Sequence, residues 1–273
     1  MVSTATILAC IFTLIACLVL PVVLLLLLVL KYKKEQIFPA WLLGAAGFFV
    51  TQMLIRVPVL TVLQTQSWFV AFSQKNLFLY AFSLAFTAGL FELAGRFVVA
   101  KLMAKNLTFR RSLAAGLGHG GIEAMLLVGM TYVNNLIYIV MINSGYFDYL
   151  IAQTAGLGVD ISQLELIRTQ LVSASSALFL LGGFERILAM TAHAAMSVLG
   201  CYGIANKKTA ICVLLCLGIH TFIDLTAGIS LVLPQRIAYP VIYAILMAVA
   251  MASVLILKHI CRNWKEVSYD SEE

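Results

Sequence analysis

The chain has 273 residues, of which 62% are hydrophobic and 11% charged, and its formal net charge is +6. Soluble globular domains carry about 25% charged residues, so composition points to a polytopic membrane protein rather than a soluble globular domain. The positive charge is not a nucleic-acid footprint, because it sits in short loops between apolar runs, where basic residues set membrane orientation.

The first apolar run covers about residues 5–30. No Lys or Arg precedes it, and it exceeds the roughly 7–15 apolar residues of a signal-peptide core. Lys31, Lys33 and Lys34 follow it, so it is expected to be a retained first helix. Further runs at about 38–63, 76–101, 112–142, 170–200, 209–231 and 237–258 also reach the roughly 18 residues that a bilayer crossing needs. The expected fold class is all-α, a polytopic helix bundle with seven transmembrane spans. The fourth run is long enough to include a tilted or broken part.

Loop charge alternates. Lys31, Lys33 and Lys34 fill one loop, and Lys101, Lys105, Arg110 and Arg111 the next basic one. Lys207 and Lys208, then Lys258, Arg262 and Lys265, follow at every second connection. The positive-inside rule places the N-terminus outside and the C-terminus in the cytoplasm. The loop at 144–169 is the long one. Its "DISQLELIRTQL" is expected to form a short surface helix capped by Asp160 or Ser162. Residues 1–263 read as a single transmembrane domain and 264–273 as a short acidic tail. The six cysteines form no CxxC pair and read as small core residues.

Ionisable residues inside the spans carry the functional question. They are Arg56, Glu92, Arg96, His119, Glu123, Glu185, Arg186, His193, His220 and Asp224. At about 3 kcal/mol for each carboxylate or arginine, the seven such residues cost on the order of 20 kcal/mol to insert, less whatever pairing and snorkelling return. Counted from the expected cytoplasmic ends at 1.5 Å per residue, Glu92, His119, Glu123, His193, His220 and Asp224 lie within about 10–24 Å of the inner surface. Spans three to six thus bring polar groups to a similar level, as one buried site requires. Residues four apart share a helix face, which pairs Glu92 with Arg96, His119 with Glu123, and His220 with Asp224. Glu92 and Arg96 are equally an in-helix ion pair. Glu185 and Arg186 are adjacent, so they point to different faces and need partners elsewhere, in a supporting role. Arg56, just before Pro58, is expected to neutralise an acid on another helix. Gly116 and Gly120 form GxxxG, a helix-packing pattern that also lets a second backbone approach His119.

Histidines with carboxylates suit a metal such as Zn2+, and an open zinc site keeps three protein ligands and a water. His119, His193 and His220 are candidate ligands. Asp224 is either a fourth ligand or the acceptor that orients His220. Glu123, one turn from His119, is placed as general base for a water and donor to a leaving amine. Without a metal, Glu123 still activates water, with histidines or an arginine holding the oxyanion. The order is HxxxE rather than HExxH, so a soluble zincin is not supported.

At these residues the chain resembles a family. "FELAGR", "GLGHGGIEA", "FERILAMTAHAAMS" and "HTFID" look like the motifs of the YhfC-type intramembrane proteases, multi-pass bacterial proteins grouped with the CAAX-prenyl-protease-like and PrsW membrane proteases. The resemblance runs from about residue 91 to 224. It implies a catalytic role for Glu123, site histidines at His193 and His220, and Asp224 as the polar end of an HxxxN/D motif. It also implies a bacterial plasma membrane. The sequence departs from the broader group's EExxxR: Ile122 precedes Glu123, and Leu127 stands where the arginine would be. Glu92 and Arg96 supply an ExxxR on another helix. Ala189, not phenylalanine, lies four residues before His193.

The leading expectation is a peptidase that cuts a membrane-protein or peptide substrate in or near the cytoplasmic half of the bilayer, with catalysis by Glu123, His193, His220, Glu92 and Arg96. The alternatives are a metal-ion or proton transporter and a non-catalytic scaffold. The outer halves of spans three to six are largely apolar and no inverted repeat is evident, which disfavours transport.

Overall fold

The computed structural model describes residues 1–264. Apart from Trp264, the tail expected at 264–273 lies outside them. Among the described residues the secondary structure is helical throughout, with no strand. Seven helices are long and apolar enough to cross a membrane: Thr4–Lys31, Ile37–Gln64, Leu77–Leu102, Phe109–Asn143, Ser176–Ala205, Thr209–Ala227 and Gln235–Asn263. They are called spans one to seven below. The physical cause is that a bilayer offers the backbone no hydrogen-bond partners, so each crossing segment must satisfy its own. Leucines such as Leu26, Leu27 and Leu214 stay exposed on these helices, as lipid-facing side chains do.

The expected spans recur with shifted ends. The fifth starts at Ser176 rather than near 170, because a separate helix, Ser162–Ser173, ends at Ala174 in extended backbone. That helix is the one expected from "DISQLELIRTQL". Its N-cap is Ile161, without a side-chain cap bond, rather than the expected Asp160 or Ser162; the Asp160 carboxylate accepts the Ser162 N–H and the Ser162 hydroxyl, both at 2.9 Å. These bonds, the backbone one foremost, hold the Asp160 carboxyl below the usual carboxylate range. A second short helix, Tyr146–Gly156, precedes it. Arg110 pairs with Glu35 and lies over the Tyr32 ring, 4.5 Å from its centroid, so the first two basic loops meet at one end of their helices.

Three π-helical turns interrupt the spans, at Ile15–Val19, Phe49–Arg56 and Ala124–Gly129. Such turns rotate the side chains that follow relative to those before, and they cluster at functional sites. The fourth run, expected to include a tilted or broken part, is a continuous helix that changes to π-helical turns at Ala124–Gly129.

The chain divides into two compact units. One comprises Met1–Val22 and Ala124–Ile187, the other Val23–Glu123 and the chain from Leu188 onward. In the first, the buried Thr13 hydroxyl donates to Phe179 O at 2.6 Å and accepts the Gly183 N–H at 3.0 Å. Tyr132 donates to the same carbonyl at 2.9 Å. Val2, Cys10, Ile139 and Leu171 form its apolar core. Glu185 and Arg186 lie in this unit. The Arg186 guanidinium donates to the Glu185 carboxylate beside it.

The second unit holds Ile37, Ala40, Trp41, Val99, Met103, Ala114 and Ala115 in its core. Here glycine sets how close helices come. A Cβ on Gly118 would fall on the Trp41 carbonyl, and one on Gly44 on the Ala115 carbonyl, so spans two and four touch backbone to backbone. On another face of span four, a Cβ at Gly116 would lie 2.6 Å from Ala194 Cα, and one at Gly120 2.9 Å from His193 Cβ. The GxxxG pair therefore seats span five against span four, at the level of His193.

Candidate active site

In the second unit, residues of spans three to six converge on one carboxylate oxygen, Glu92 Oε2. His119 Nε2 lies 2.9 Å from it, Arg96 Nη2 3.1 Å, His220 Nδ1 3.5 Å and His193 Nδ1 3.7 Å. The other oxygen, Oε1, accepts a hydrogen bond from Gln52 Nε2 at 3.0 Å. The Glu92 side chain is 5% exposed, and a carboxylate so buried persists only with charge and hydrogen-bond partners of this kind. Glu92 and Arg96 thus form the expected in-helix pair, and Glu92 is also the centre of the cluster.

Two of the histidines are held in the same way. His193 Nε2 lies 2.8 Å from Glu123 Oε2, and His220 Nε2 lies 3.2 Å from Asp224 Oδ2. Each carboxylate lies at Nε2 of its ring, and Nδ1 of each ring faces Glu92. This is the carboxylate–histidine arrangement that orients imidazoles in metal and acid–base sites. The rings also pack on one another. His119 stacks on His193 at 5.4 Å between centroids, and Phe48 meets His119 edge-on at 5.3 Å.

Spacing had paired His119 with Glu123 on one face of span four. In the structure His119 reaches Glu92 of span three, and Glu123 reaches His193 of span five. Of the candidate ligands, His119 and His193 join Glu92 in a group whose donor atoms all lie within 4.8 Å of one another. His220 stands beside this group, and Asp224 holds the far nitrogen of His220. Among the described residues His220 Nδ1 has no hydrogen-bond partner although it is buried. One carboxylate and two imidazoles, with a third imidazole nitrogen unclaimed beside them, fit a divalent cation of the zinc class. Arg96 is inserted among the same donors, its Nη2 2.5 Å from His193 Nδ1.

Arg56 was expected to neutralise an acid on another helix, and it shares a cavity wall with Asp224 of span six. Its hydrogen bonds go to Leu84 O at 2.7 Å, Gln52 Oε1 at 3.2 Å and Thr87 Oγ1 at 3.4 Å. Gln52 stands one turn before Arg56 on the same helix. Gln52 was not among the sequence candidates, yet it touches Glu92, Ala88 O and Arg56 together. Its signal was an amide in an apolar span, four residues before Arg56.

A seven-span helix bundle that closes such a polar centre among its helices is a polytopic integral membrane protein. A family model described as YhfC intramembrane metalloprotease matches residues 16–254, and the chain belongs to that family. It is 33% identical over 181 residues to an uncharacterized membrane protein, YhfC, of Bacillus subtilis (strain 168). That alignment covers 65% of this chain and 68% of the relative, and the relative's origin agrees with the bacterial plasma membrane implied by the sequence motifs. No solved structure matches the chain.

Proposed function

We propose that this protein is an intramembrane peptidase that hydrolyses a peptide bond of a membrane-protein substrate. The observation that carries the reading is the convergence of His119, His193, His220 and Arg96 on Glu92 Oε2, with two of the rings backed by carboxylates. A scaffold needs paired charges, but it has no use for imidazole nitrogens aimed at one point.

Glu92, His119 and His193 are the residues that would hold a divalent metal, Zn2+ by donor type. When bound, such an ion supplies a water acidified to near-neutral pKa and a polarised carbonyl. The remaining roles belong to the chain itself. His220 Nδ1 accepts the proton of the attacking water and returns it to the leaving nitrogen, while Asp224 at Nε2 stabilises the charged ring. Glu123 holds His193 through its other nitrogen, so it acts on the reaction through that ring. Arg96 offers N–H donors to the carbonyl oxygen as negative charge grows on it.

Glu92 is ten residues from Leu102 and fifteen from Leu77, about 15 and 23 Å along the helix. With the basic loops inside, that depth favours cleavage in the cytoplasmic half of the bilayer. The test is a comparison of protein N-termini in cells lacking this protein and complemented, at equal abundance, with wild type, Glu92→Gln or Glu123→Gln. Termini present only with wild type support proteolysis and name substrates. Identical termini in all strains, with a wild-type phenotype retained by both variants, would overturn it.

A further inference from the structure

Two cavities of the second unit lie along span three between Leu77 and Ala88, and the chemistry above uses only Asp224 of their walls. One, of about 290 Å³, has Arg56, Tyr80, Leu84, Ala88 and Asp224 on its wall. The other, of about 700 Å³, is almost wholly apolar, with Leu77, Phe78, Phe222, Leu225 and Ile229 among its lining. They share Ala81 and Gly228 on their walls, so they adjoin, the smaller as a polar end and the larger as an apolar end.

The polar end is joined to Glu92 by two chains of contacts. Arg56 Nη1 donates to Gln52 Oε1, and Gln52 Nε2 donates to Glu92 Oε1. Asp224 holds His220, whose Nδ1 faces Glu92 Oε2. Three of the five N–H groups of Arg56 are engaged by Leu84, Gln52 and Thr87. The other two remain to donate, and the Asp224 side chain is 36% exposed.

We infer that this space is the substrate seat, in which an unwound apolar segment places one peptide group between Arg56 and Asp224 and its bulky side chains in the apolar pocket. The inference rests on the peptidase reading. An arginine and an aspartate on one cavity wall match a dipolar group, with C=O toward Arg56 and N–H toward Asp224. They do not match a lone anion or a lone cation. Inside a bilayer an intact helix has already spent its backbone groups on itself, so only an unwound segment has them to offer. The larger pocket lies within the roughly 300–1,000 Å³ that ligand pockets occupy, enough for more than one large side chain. The seat approaches Glu92 from the Leu77 end of span three, opposite the basic loops.

The test uses the full chain in nanodiscs as Glu92→Gln, so that binding is read without cleavage. The probe is a synthetic transmembrane peptide with a central Gly-Pro break and one benzoylphenylalanine beside it. Light-induced crosslinks are expected at Phe78, Phe222 or Leu225. Ala81→Trp, which fills the shared wall, and Arg56→Met should each weaken binding by about tenfold or more. An unbroken peptide of the same composition should compete poorly. Equal binding to all three proteins, crosslinks elsewhere, no crosslink at all, or displacement by phospholipid but not by unlabelled peptide would each overturn the seat. The two readings separate. Binding at the seat with no cleavage by wild type leaves the seat standing and removes the peptidase. Cleavage by wild type with the same KM and side-chain preference in Ala81→Trp removes the seat and leaves the peptidase.

Discussion

The Arg96 guanidinium donates to His193 Nδ1 at 2.5 Å, the ring nitrogen that also faces Glu92. The protein therefore carries its own cation among the donors that suit a metal. An incoming divalent ion must take His193 Nδ1 from Arg96 and overcome the repulsion of a nearby positive charge. Arg96→Gln removes both obstacles and is expected to bind Co2+ about tenfold more tightly than wild type, a change of about 1.4 kcal/mol. Visible absorption of Co2+ bound to the purified chain reads this without any substrate. Weaker binding in Arg96→Gln would show that the guanidinium organises the donors rather than competing for them.

The carboxylates are predicted to rank in a definite order. Glu92 touches every member of the cluster, and Glu92→Gln should abolish turnover, a loss of at least about a thousandfold. Glu123→Gln and Asp224→Asn leave groups that still accept a hydrogen bond from imidazole but no longer carry charge. Loss of such outer partners costs about 10–100-fold in activity or metal affinity. Cleavage rates on one substrate, measured beside Co2+ affinity, check the ranking. Glu123→Gln falling as far as Glu92→Gln would make Glu123 the proton acceptor that the "GLGHGGIEA" motif suggested.

Gln52 is predicted to be as important as those outer carboxylates. Gln52→Leu removes the donor to Glu92 Oε1 and the acceptor for Arg56 at once. It leaves a buried carboxylate oxygen unpaired, at a cost of about 1–3 kcal/mol. The expected result is a 10–100-fold loss of activity, with Gln52→Glu no better because it places a second acid beside Glu92. Retained activity in Gln52→Leu would show that Arg96 and the histidines suffice to hold Glu92.

These predictions mark what the sequence could and could not convey. The seven spans were legible because the bilayer imposes their length and composition residue by residue. Counting along the spans placed Glu92, His119, Glu123, His193, His220 and Asp224 at a similar level, which is what allows them to meet. The partner of each was not. Spacing within a helix links His119 to Glu123, whereas the contacts made are His119 to Glu92 and Glu123 to His193. Those depend on how each helix is rotated about its axis, and that rotation is set by backbone contacts at Gly44, Gly118, Gly116 and Gly120 with residues far away in the chain. The π-helical turn Phe49–Arg56 adds a further rotation that brings Gln52 to Glu92. Apart from Pro58 just beyond it, nothing in the local sequence announces that turn.

The glycine contacts give the last prediction, in which two chemically identical substitutions have opposite effects. Gly→Ala inside a helix gains up to about 1 kcal/mol in propensity. At Gly200 a Cβ meets nothing within 4 Å, so Gly200→Ala should leave the thermal midpoint of the detergent-solubilised protein unchanged or raised. At Gly118 the same carbon falls on the Trp41 backbone, which cannot rotate away as a side chain can. Overpacking of this kind costs about 1–3 kcal/mol or more. It would also push span four off span two, displacing His119 relative to Glu92. Gly118→Ala is therefore expected to lower both the thermal midpoint and Co2+ affinity. An unchanged midpoint with full Co2+ binding would mean that spans two and four can separate without disturbing the site.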